Sequence, residues 1–371
     1  MKIKDLISFI EEKFPLSLQE SYDNSGLIVG SPHLEITNVL ICLDSIEEVV
    51  DEAIDSNCNL IISHHPIIFT GIKRINGNTH IERTIIKAIK NDIAIYAIHT
   101  NLDNIIGGVN TKICDRLGLI NQQILLPKEN LLRKLTVYVP EDHANQVRNS
   151  LFDAGAGSIG NYKNCSFSSI GEGTFLPLNN SNPTIGLHGK KEKVTEIKIE
   201  VVFLKNMYQK VISCMKDAHP YEEPAYQIYK LDNLVNQYGS GMYGELKKPV
   251  QIDKFISSLN ETMNANFIKH TKLVKDYVKT VSVCGGSGSF LINQAKTVGA
   301  DVFISSDFKY HEFFLAEDDI VLIDVGHYES ENYTKNLIYD ILVNNFSKFA
   351  ILLSKTNTNP INYLYNGEKK D

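Results

Sequence analysis

The sequence lacks three features: an apolar run of about 18 residues, a Cys-x-x-Cys pair, and a basic cluster interleaved with aromatic residues. The first absence excludes a membrane-spanning helix, and the amphipathic start with Ile3, Leu6 and Ile10 is unlike a signal peptide, so a cytoplasmic location is expected. The six scattered cysteines predict reduced core thiols and neither disulfides nor a zinc cluster. The net charge of -7 disfavours nucleic acid as a partner.

The remaining composition is that of an ordinary globular protein. Of its 371 residues, 43% are hydrophobic and 22% are charged. A chain of this length exceeds what one hydrophobic core usually serves, so two or three domains are expected.

Periodic apolar patterns predict strands that alternate with helices in the first and last thirds of the chain. Such alternation favours an α/β fold with a mainly parallel sheet. The predicted helices are 3–13, 46–56, 81–91, 108–117, 251–263, 289–298 and 328–345. The predicted strands are 36–43, 59–63, 93–98, 280–284, 301–305, 320–325 and 348–354. Residues 118–134 read as a linker, residues 236–241 as a loop, and the polar tail 366–371 as frayed.

The middle of the chain has a different element order. Strand 135–139, helix 141–153, strands 165–174 and 195–203, helix 206–217 and strand 225–231 follow one another as β-α-β-β-α-β, the ferredoxin-like arrangement. This module is therefore expected to be inserted between two halves of one α/β domain. The expected domains are therefore an N-terminal half, 1–132, the insert, 133–232, and a C-terminal half, 233–371.

Residues with metal-ligand chemistry follow three predicted strands. His64 and His65 follow the apolar run 59–62, Asp103 lies shortly after the strand 93–98, and His327 and Glu331 follow the strand 320–325. Ligands in open α/β sheets bind outside the carboxyl ends of the strands, so these side chains can converge on one crevice. A single histidine at a strand end is often structural, but three such strand ends favour a metal site.

The spacing of these residues favours two ions. His327 and Glu331 share one face of a helix, whereas the adjacent His64 and His65 point to opposite sides of a strand and suit two neighbouring ions. Imidazoles with carboxylates suit zinc, with iron, manganese or cobalt as alternatives. Two divalent ions exceed the charge of two carboxylates, which would favour an anionic substrate, and such ions activate water for hydrolysis.

Three further residues are candidate catalytic groups. His99 can be a ligand, orient Asp103 or close its strand, and we place it behind the ligands. Lys309 and His311 can bind a substrate anion or transfer protons, and a surface loop is nearly as good an interpretation. Gly285-Gly286-Ser287-Gly288-Ser289 is either a phosphate-binding nest or an ordinary turn, and His219-Pro220-Tyr221-Glu222-Glu223-Pro224 is more typical of a rigid turn than of a ligand site.

Across nearly the whole chain, these motifs resemble the GTP cyclohydrolase I type 2 homologue family, also called the NGG-interacting-factor-three-like family. The matching motifs occur in the family's order: Tyr22-Asp23-Asn24-Ser25-Gly26-Leu27, Ser63-His64-His65-Pro66, His99-Thr100-Asn101-Leu102-Asp103, Gly285-Gly286-Ser287-Gly288, Asp307-Phe308-Lys309-Tyr310-His311 and Gly326-His327-Tyr328-Glu329-Ser330-Glu331. One departure is Tyr22, where the family usually has tryptophan; this chain has none.

The resemblance implies a dinuclear centre with ligands His64, His65, Asp103, His327 and Glu331, in which Glu331 can bridge the two ions. It also implies a hexameric, toroid-like assembly and an insert similar to the PII-like or CutA-like module of the longer bacterial members. Zinc is the first choice for both ions of the chain, and iron or manganese are the alternatives.

Two functions remain open from the sequence. One is a metal-dependent hydrolase that acts on a nucleotide or another phosphorylated small molecule, as a GTP cyclohydrolase would. The alternative is a regulatory ligand-binding protein or metal chaperone whose metal site is structural. A ring associated with nucleic acid is disfavoured by the acidic charge.

Overall fold

The computed structural model describes residues 1–265 and 267–364. The chain divides into two compact units: the first comprises Met1–Pro127 and Asn236–Asp371, and the second comprises Lys128–Val235. The polar tail predicted at 366–371 lies outside the described residues. Among the described helices, none is long and apolar enough to span a bilayer.

The helices of the described chain run in the order α1 Ile3–Lys13, α2 Glu47–Asp55, α3 His80–Lys90, α4 Thr100–Asp103, α5 Val109–Arg116, α6 Ala144–Asp153, α7 Tyr208–Ala218, α8 Ile252–Met263, α9 Ile292–Thr297, α10 His327–Glu331 and α11 Thr334–Val343. The helix predicted over 328–345 is therefore divided in two. A 3₁₀-helix covers Tyr310–Ala316.

The strands are β1 Gly26–Val29, β2 Val39–Cys42, β3 Leu60–Ser63, β4 Ala94–Ala97, β5 Ile120–Pro127, β6 Leu132–Pro140, β7 Phe167–Phe175, β8 Glu192–Leu204, β9 Tyr226–Leu231, β10 Gly239–Gln251, β11 Lys269–His270, β12 Tyr277–Ser287, β13 Val302–Ser306, β14 Val321–Asp324 and β15 Ile351–Leu353.

The first unit contains a five-stranded sheet in the order β1-β4-β3-β2-β15. Strands β15, β2, β3 and β4 are parallel, and only the edge strand β1 is antiparallel to its neighbour within this sheet. Every residue of β2, β3 and β4 is buried. Parallel strands with both faces covered read as continuous apolar runs, which is why the sequence pattern predicted these strands correctly.

A second sheet in the same unit has the order β11-β14-β13-β12-β10-β5. The expectation of one mainly parallel sheet is wrong, because only β12, β13 and β14 are parallel here, while β5, β10 and β11 pair antiparallel. The predicted linker 118–134 contains β5, and the predicted loop 236–241 contains the start of β10. Both strands carry Gly, Pro or polar residues instead of an apolar alternation, so their conformation depends on pairing with their neighbours.

One hydrophobic core joins the facing sides of the two sheets of the first unit. It includes Ile41 and Ile62 from the first sheet, Val283 and Ile304 from the second, and Leu6 from α1. Separate clusters cover the outer face of each sheet. The two sheets are thus fixed against each other by buried apolar surface, the dominant favourable contribution to folding.

The second unit has its own core and one antiparallel sheet in the order β7-β8-β6-β9, with the element order β-α-β-β-α-β. Helices α6 and α7 contribute Val147, Leu151, Val211 and Met215 to this core. In the second half of β8, buried residues alternate with partly exposed ones, which is typical of a sheet with one covered face.

We expect the first unit to fold without the second. Gly239 of β10 is the register partner of Pro127 of β5, so the two ends of the first unit are adjacent. A chain without residues 128–235, in which residues 236–238 form the turn between Pro127 and Gly239, should therefore close as a β-hairpin. Circular dichroism should show cooperative thermal unfolding, and the metal content should equal that of the full chain, since the five predicted ligands lie outside the excised segment. An insoluble or metal-free product would show that the first unit depends on the second.

Candidate metal centre

Three chain segments at the carboxyl ends of strands bring the five predicted ligand residues together in the first unit. His64 and His65 directly follow β3, Asp103 ends the short helix α4 after β4, and α10 after β14 carries His327 and Glu331. These residues form groups whose ligand atoms lie within 4.8 Å of one another. The convergence that strand-end chemistry predicted is therefore present, although the segments come from two sheets.

The Glu331 carboxylate lies at the centre of this cluster and is only 2% exposed. Its Oε2 lies 2.9 Å from Nε2 of His65 and 2.9 Å from Nε2 of His327. Its Oε1 faces Nε2 of His64 at 3.7 Å, and Oδ1 of Asp103 lies 3.7 Å from the same nitrogen. Each oxygen of one carboxylate thus faces a different group of donors.

His64 has a buried nitrogen that no described protein group satisfies. Its Nδ1–H donates to the Ile98 carbonyl at 2.9 Å, which leaves the Nε2 lone pair directed at Asp103 and Glu331. Neither His64 Nε2 nor Asp103 Oδ1 has a hydrogen-bond partner among the described residues. Buried polar atoms are costly when unpaired, and a cation between a lone pair and two carboxylates would satisfy all three.

Four imidazoles around the cluster share one arrangement: each donates Nδ1–H to a protein oxygen and turns Nε2 towards the centre. The acceptors are Ile98 O for His64 at 2.9 Å, and carboxylate oxygens at 2.7 Å for the others, namely Asp44 for His65, Asp23 for His99 and Asp307 for His327. Metal-binding histidines are commonly held in this way, because the outer acceptor fixes the tautomer and the ring orientation.

Asp23 and Asp44 are supporting residues that the sequence analysis did not single out. Asp44 follows β2 at the same sheet edge as His65, so the strand-end argument could have found it. It also accepts a hydrogen bond from Thr358. Asp23 lies in a turn before β1 and accepts hydrogen bonds from His99, Thr100 and Ser25, a role that only the folded chain reveals.

The charges of the cluster are strongly coupled. Burial lowers the pKa of His65 and of His327, but hydrogen bonds and charge interactions with the neighbouring carboxylates outweigh it and raise them to about 9 and about 11. Burial disfavours the charged form of Glu331, yet the same histidines hold its pKa well below the usual value. Burial, reinforced by the charge of Glu331, raises the pKa of Asp103 to about 8. The site thus combines a concentrated negative charge with bound protons that cations can replace.

The donor set fits divalent metal ions. Neighbouring ligands of a tetrahedral zinc ion lie roughly 3.3 Å apart when each bond is about 2.0–2.1 Å long. The separations between Glu331 and the three facing imidazoles, 2.9 to 3.7 Å, bracket that value. Imidazole and carboxylate together suit zinc, iron or manganese and are poor for calcium, which prefers oxygen ligands.

The glycine-rich end of β12 packs against Glu331. Gly286 has φ +63°, and a Cβ atom there would collide with Oε1 of Glu331. The N–H groups of Gly285 and Gly286 already donate to Asn110 and Ser330. These two amides are thus paired within the protein, and the segment supports the carboxylate. Two fewer N–H groups are left to bind a phosphate, which weakens the phosphate-nest interpretation.

A cavity of about 550 Å³ opens over the cluster. Asp44, His65, His99, Asp103, His327 and Glu331 line it, together with several apolar residues. This volume lies in the range of small-molecule sites, about 300–1,000 Å³. The cluster is therefore accessible to a small ligand.

A family comparison agrees with this architecture. The model of the DUF34/NIF3 (NGG1p interacting factor 3) family matches residues 1–360. The chain belongs to the DUF34/NIF3 family. A Bacillus subtilis relative named GTP cyclohydrolase 1 type 2 homolog is 39% identical over 370 residues, covering 97% of this chain and 98% of the relative.

Solved structures of family members have the same fold. The crystal structure of a Bacillus cereus protein related to NIF3 is 37% identical, with a TM-score of 0.83 over 98% of this chain and 99% of that one. A Staphylococcus aureus protein is 30% identical, with a TM-score of 0.79 over 98% and 99% of the respective chains. The resemblance that the motifs indicated is therefore confirmed for the whole chain.

The other candidate residues lie apart from the cluster or beside it. Lys309 and His311 are exposed at the start of the 3₁₀-helix and do not line the cavity. Asp307 of the same segment accepts a hydrogen bond from His327, which does line it. His99 lies within reach of His64 and His65, closer than the supporting position we expected. In the second unit, both ring nitrogens of His219 bond to backbone groups, so it closes a turn and offers no free ligand atom.

The contact between Gly286 and Glu331 can be tested with two alanine variants. Gly286→Ala and Gly299→Ala both place a side chain at positive φ, which costs roughly 1–2 kcal/mol, but Gly299 faces open space. We expect Gly286→Ala to lower the thermal unfolding midpoint more than Gly299→Ala, because its Cβ must displace the Glu331 carboxylate. Metal content should fall only in Gly286→Ala. Equal effects of both variants would show that the end of β12 does not position Glu331.

Proposed function

We propose that the first unit holds two divalent metal ions, with Glu331 shared between them. His64, Asp103 and Oε1 of Glu331 would hold one ion, and His65, His327 and Oε2 of Glu331 the other. The observation that carries this proposal is the orientation of the Glu331 carboxylate, whose two oxygens face two separate donor groups. The unpaired Nε2 of His64 and Oδ1 of Asp103 support it. Zinc is our first choice, and iron or manganese are the alternatives.

The activity proposed for this centre is hydrolysis of a small molecule with an anionic group, such as a nucleotide or another phosphorylated compound. Divalent ions in such a site supply Lewis acidity and an activated water nucleophile near neutral pH. The relatives' name, GTP cyclohydrolase 1 type 2 homolog, makes GTP one substrate to be tested. The accessible cavity over the cluster supports an enzymatic function over a purely structural one.

The protein's own residues would orient the donors and move protons. Asp44 and Asp307 hold the rings of His65 and His327 through their Nδ1–H groups, which keeps both Nε2 atoms directed at Glu331. Asp23 fixes His99 in the same way, and a ring nitrogen of His99 lies within 4.8 Å of ring nitrogens of His64 and His65. His99 is therefore placed to accept a proton beside the reacting group, which is the role that we assign to it.

A regulatory function is the second candidate, and a cavity in the second unit favours it. This cavity, of about 300 Å³, lies among the residues 174–185, 196 and 221–225. We propose that the unit is a ferredoxin-like module of the PII-like or CutA-like kind, with boundaries near 133 and 232; its β-α-β-β-α-β order and strand order support this assignment. If a ligand binds in this cavity, the metal centre of the first unit would be either a structural site or a site whose activity that ligand regulates.

Assembly and location are further parts of the proposal. The resemblance to the family supports a homo-oligomer, with a hexameric toroid as the expected form, and the sequence supports a cytoplasmic location.

Metal analysis of three variants tests the bridging role. Glu331→Gln should lose most of both ions, whereas Asp103→Asn should retain about one per chain, because Asp103 contacts one donor group only. Glu329→Gln is the matched control, since this buried carboxylate of the same helix contacts Asn359 and not the histidines. Elemental analysis after gel filtration gives the ion count. Equal losses in Glu331→Gln and Asp103→Asn would contradict a shared carboxylate.

Turnover tests the hydrolase. The metal-loaded protein should hydrolyse at least one compound in a screen of nucleotides and phosphate esters, and a chelator or His64→Ala should abolish that activity. His99→Gln should retain its ions but lose roughly 10²–10⁴-fold in rate if His99 transfers a proton. Loss of metal from His99→Gln would instead make it a ligand. Absence of turnover with every compound, combined with ligand binding to the second unit, would favour the regulatory function.

A further inference from the structure

The cavity over the metal centre has a lining without Lys or Arg side chains among the residues that the structure describes. Its basic side chains are histidines, three of which, His65, His99 and His327, belong to the cluster, while His80 lies at the first residue of α3. Sites that bind several phosphate groups normally use Arg or Lys to neutralise them. This cavity lacks those groups.

The metal ions themselves would leave little positive charge for a substrate. The sequence analysis set two divalent ions against two carboxylates, Asp103 and Glu331. The structure adds three more around the same imidazoles: Asp23, Asp44 and Asp307, each on an Nδ1 atom. Five carboxylates outweigh two divalent ions by one charge. The excess of positive charge that would attract a polyanion is therefore absent from this shell.

Exposed aromatic rings also line the same cavity. Tyr22, Phe69 and Phe290 line it and are 66%, 50% and 58% exposed, respectively. The Phe69 ring lies 5.6 Å from the His99 ring, so it reaches the edge of the histidine cluster. Exposed aromatic side chains grouped around one cavity are typical of a binding surface.

We propose that the substrate of this centre is a flat aromatic molecule, such as a nucleobase derivative, that carries at most one anionic group and stacks on these rings. The inference rests on the proposed function, since it names the substrate class of that site. In this arrangement the rings supply binding through stacking, and the metal centre receives a single polar or anionic group. A nucleoside or nucleoside monophosphate fits this description, and a nucleoside triphosphate does not.

Calorimetric titration of the full-length, metal-loaded protein distinguishes these ligands. The probes are guanosine, guanosine monophosphate, guanosine triphosphate and, as a phosphate without an aromatic ring, ribose 5-phosphate. We expect guanosine and its monophosphate to bind, ribose 5-phosphate to bind at least about tenfold more weakly, and the triphosphate to bind no more tightly than the monophosphate. Metal analysis after each titration controls for removal of the ions by the triphosphate.

Two cavity variants and one matched control test the stacking surface. Phe290→Ala and Tyr22→Ala should each weaken guanosine binding at least about fivefold, the lower end of base–aromatic stacking energies. Phe314→Ala should leave it unchanged, because Phe314 is 65% exposed but does not line the cavity. All three positions are exposed, so folding should be preserved, and circular dichroism checks this.

Two results would overturn the inference: triphosphate binding that is tenfold or more tighter than monophosphate binding, or cavity variants that bind guanosine like Phe314→Ala. Failure of every aromatic probe to bind would overturn it as well. Metal content and turnover, measured on the same samples, report the proposed function separately. A protein that binds aromatic probes through Phe290 but holds no ions would contradict the metal centre and keep the assigned ligand class.

Discussion

A buried carboxylate surrounded by imidazoles is the constraint on which the rest of this structure depends. Glu331 is almost fully buried, and three Nε2 atoms face its two oxygens. Burying a charged carboxylate costs free energy unless cations or protonated partners compensate its charge. The surrounding elements provide this compensation. The histidines follow strand ends, three further carboxylates hold the imidazole rings, and Gly286 at the end of β12 leaves room for the Glu331 oxygen.

The two-sheet architecture explains why residues distant in sequence meet at this carboxylate. His65 follows β3 of one sheet and Glu331 follows β14 of the other, and the shared core fixes the two sheets against each other. Apolar burial far from the centre therefore sets the distances within it. The cavity over this centre is lined by carboxylates and histidines and also by aromatic rings.

The sequence predicted the ligand cluster better than its surroundings. The meeting of His64, His65, Asp103, His327 and Glu331 could be predicted because parallel strands have continuous apolar runs and place the residues that follow them at their carboxyl ends. His64, His65 and Asp103 follow strands of the first sheet, and His327 and Glu331 follow a strand of the second. Asp44 obeys the same rule and was overlooked. Asp23 could not be found this way, since it sits in a turn and its partner His99 is supplied by tertiary structure. Strands β5 and β10 were missed because pairing, and no local pattern, determines their conformation.

The pairing of Pro127 with Gly239 has a consequence for how such a chain can evolve. Seen from the second sheet of the first unit, the whole stretch from 128 to 238 occupies the place of a hairpin turn. The entropic cost of closing a loop grows only with the logarithm of its length, about 0.6 kcal/mol for each doubling. Gaining, losing or exchanging a complete folded unit at this point is therefore a small perturbation to the sheet, and the candidate metal ligands can be inherited unchanged while the intervening unit varies.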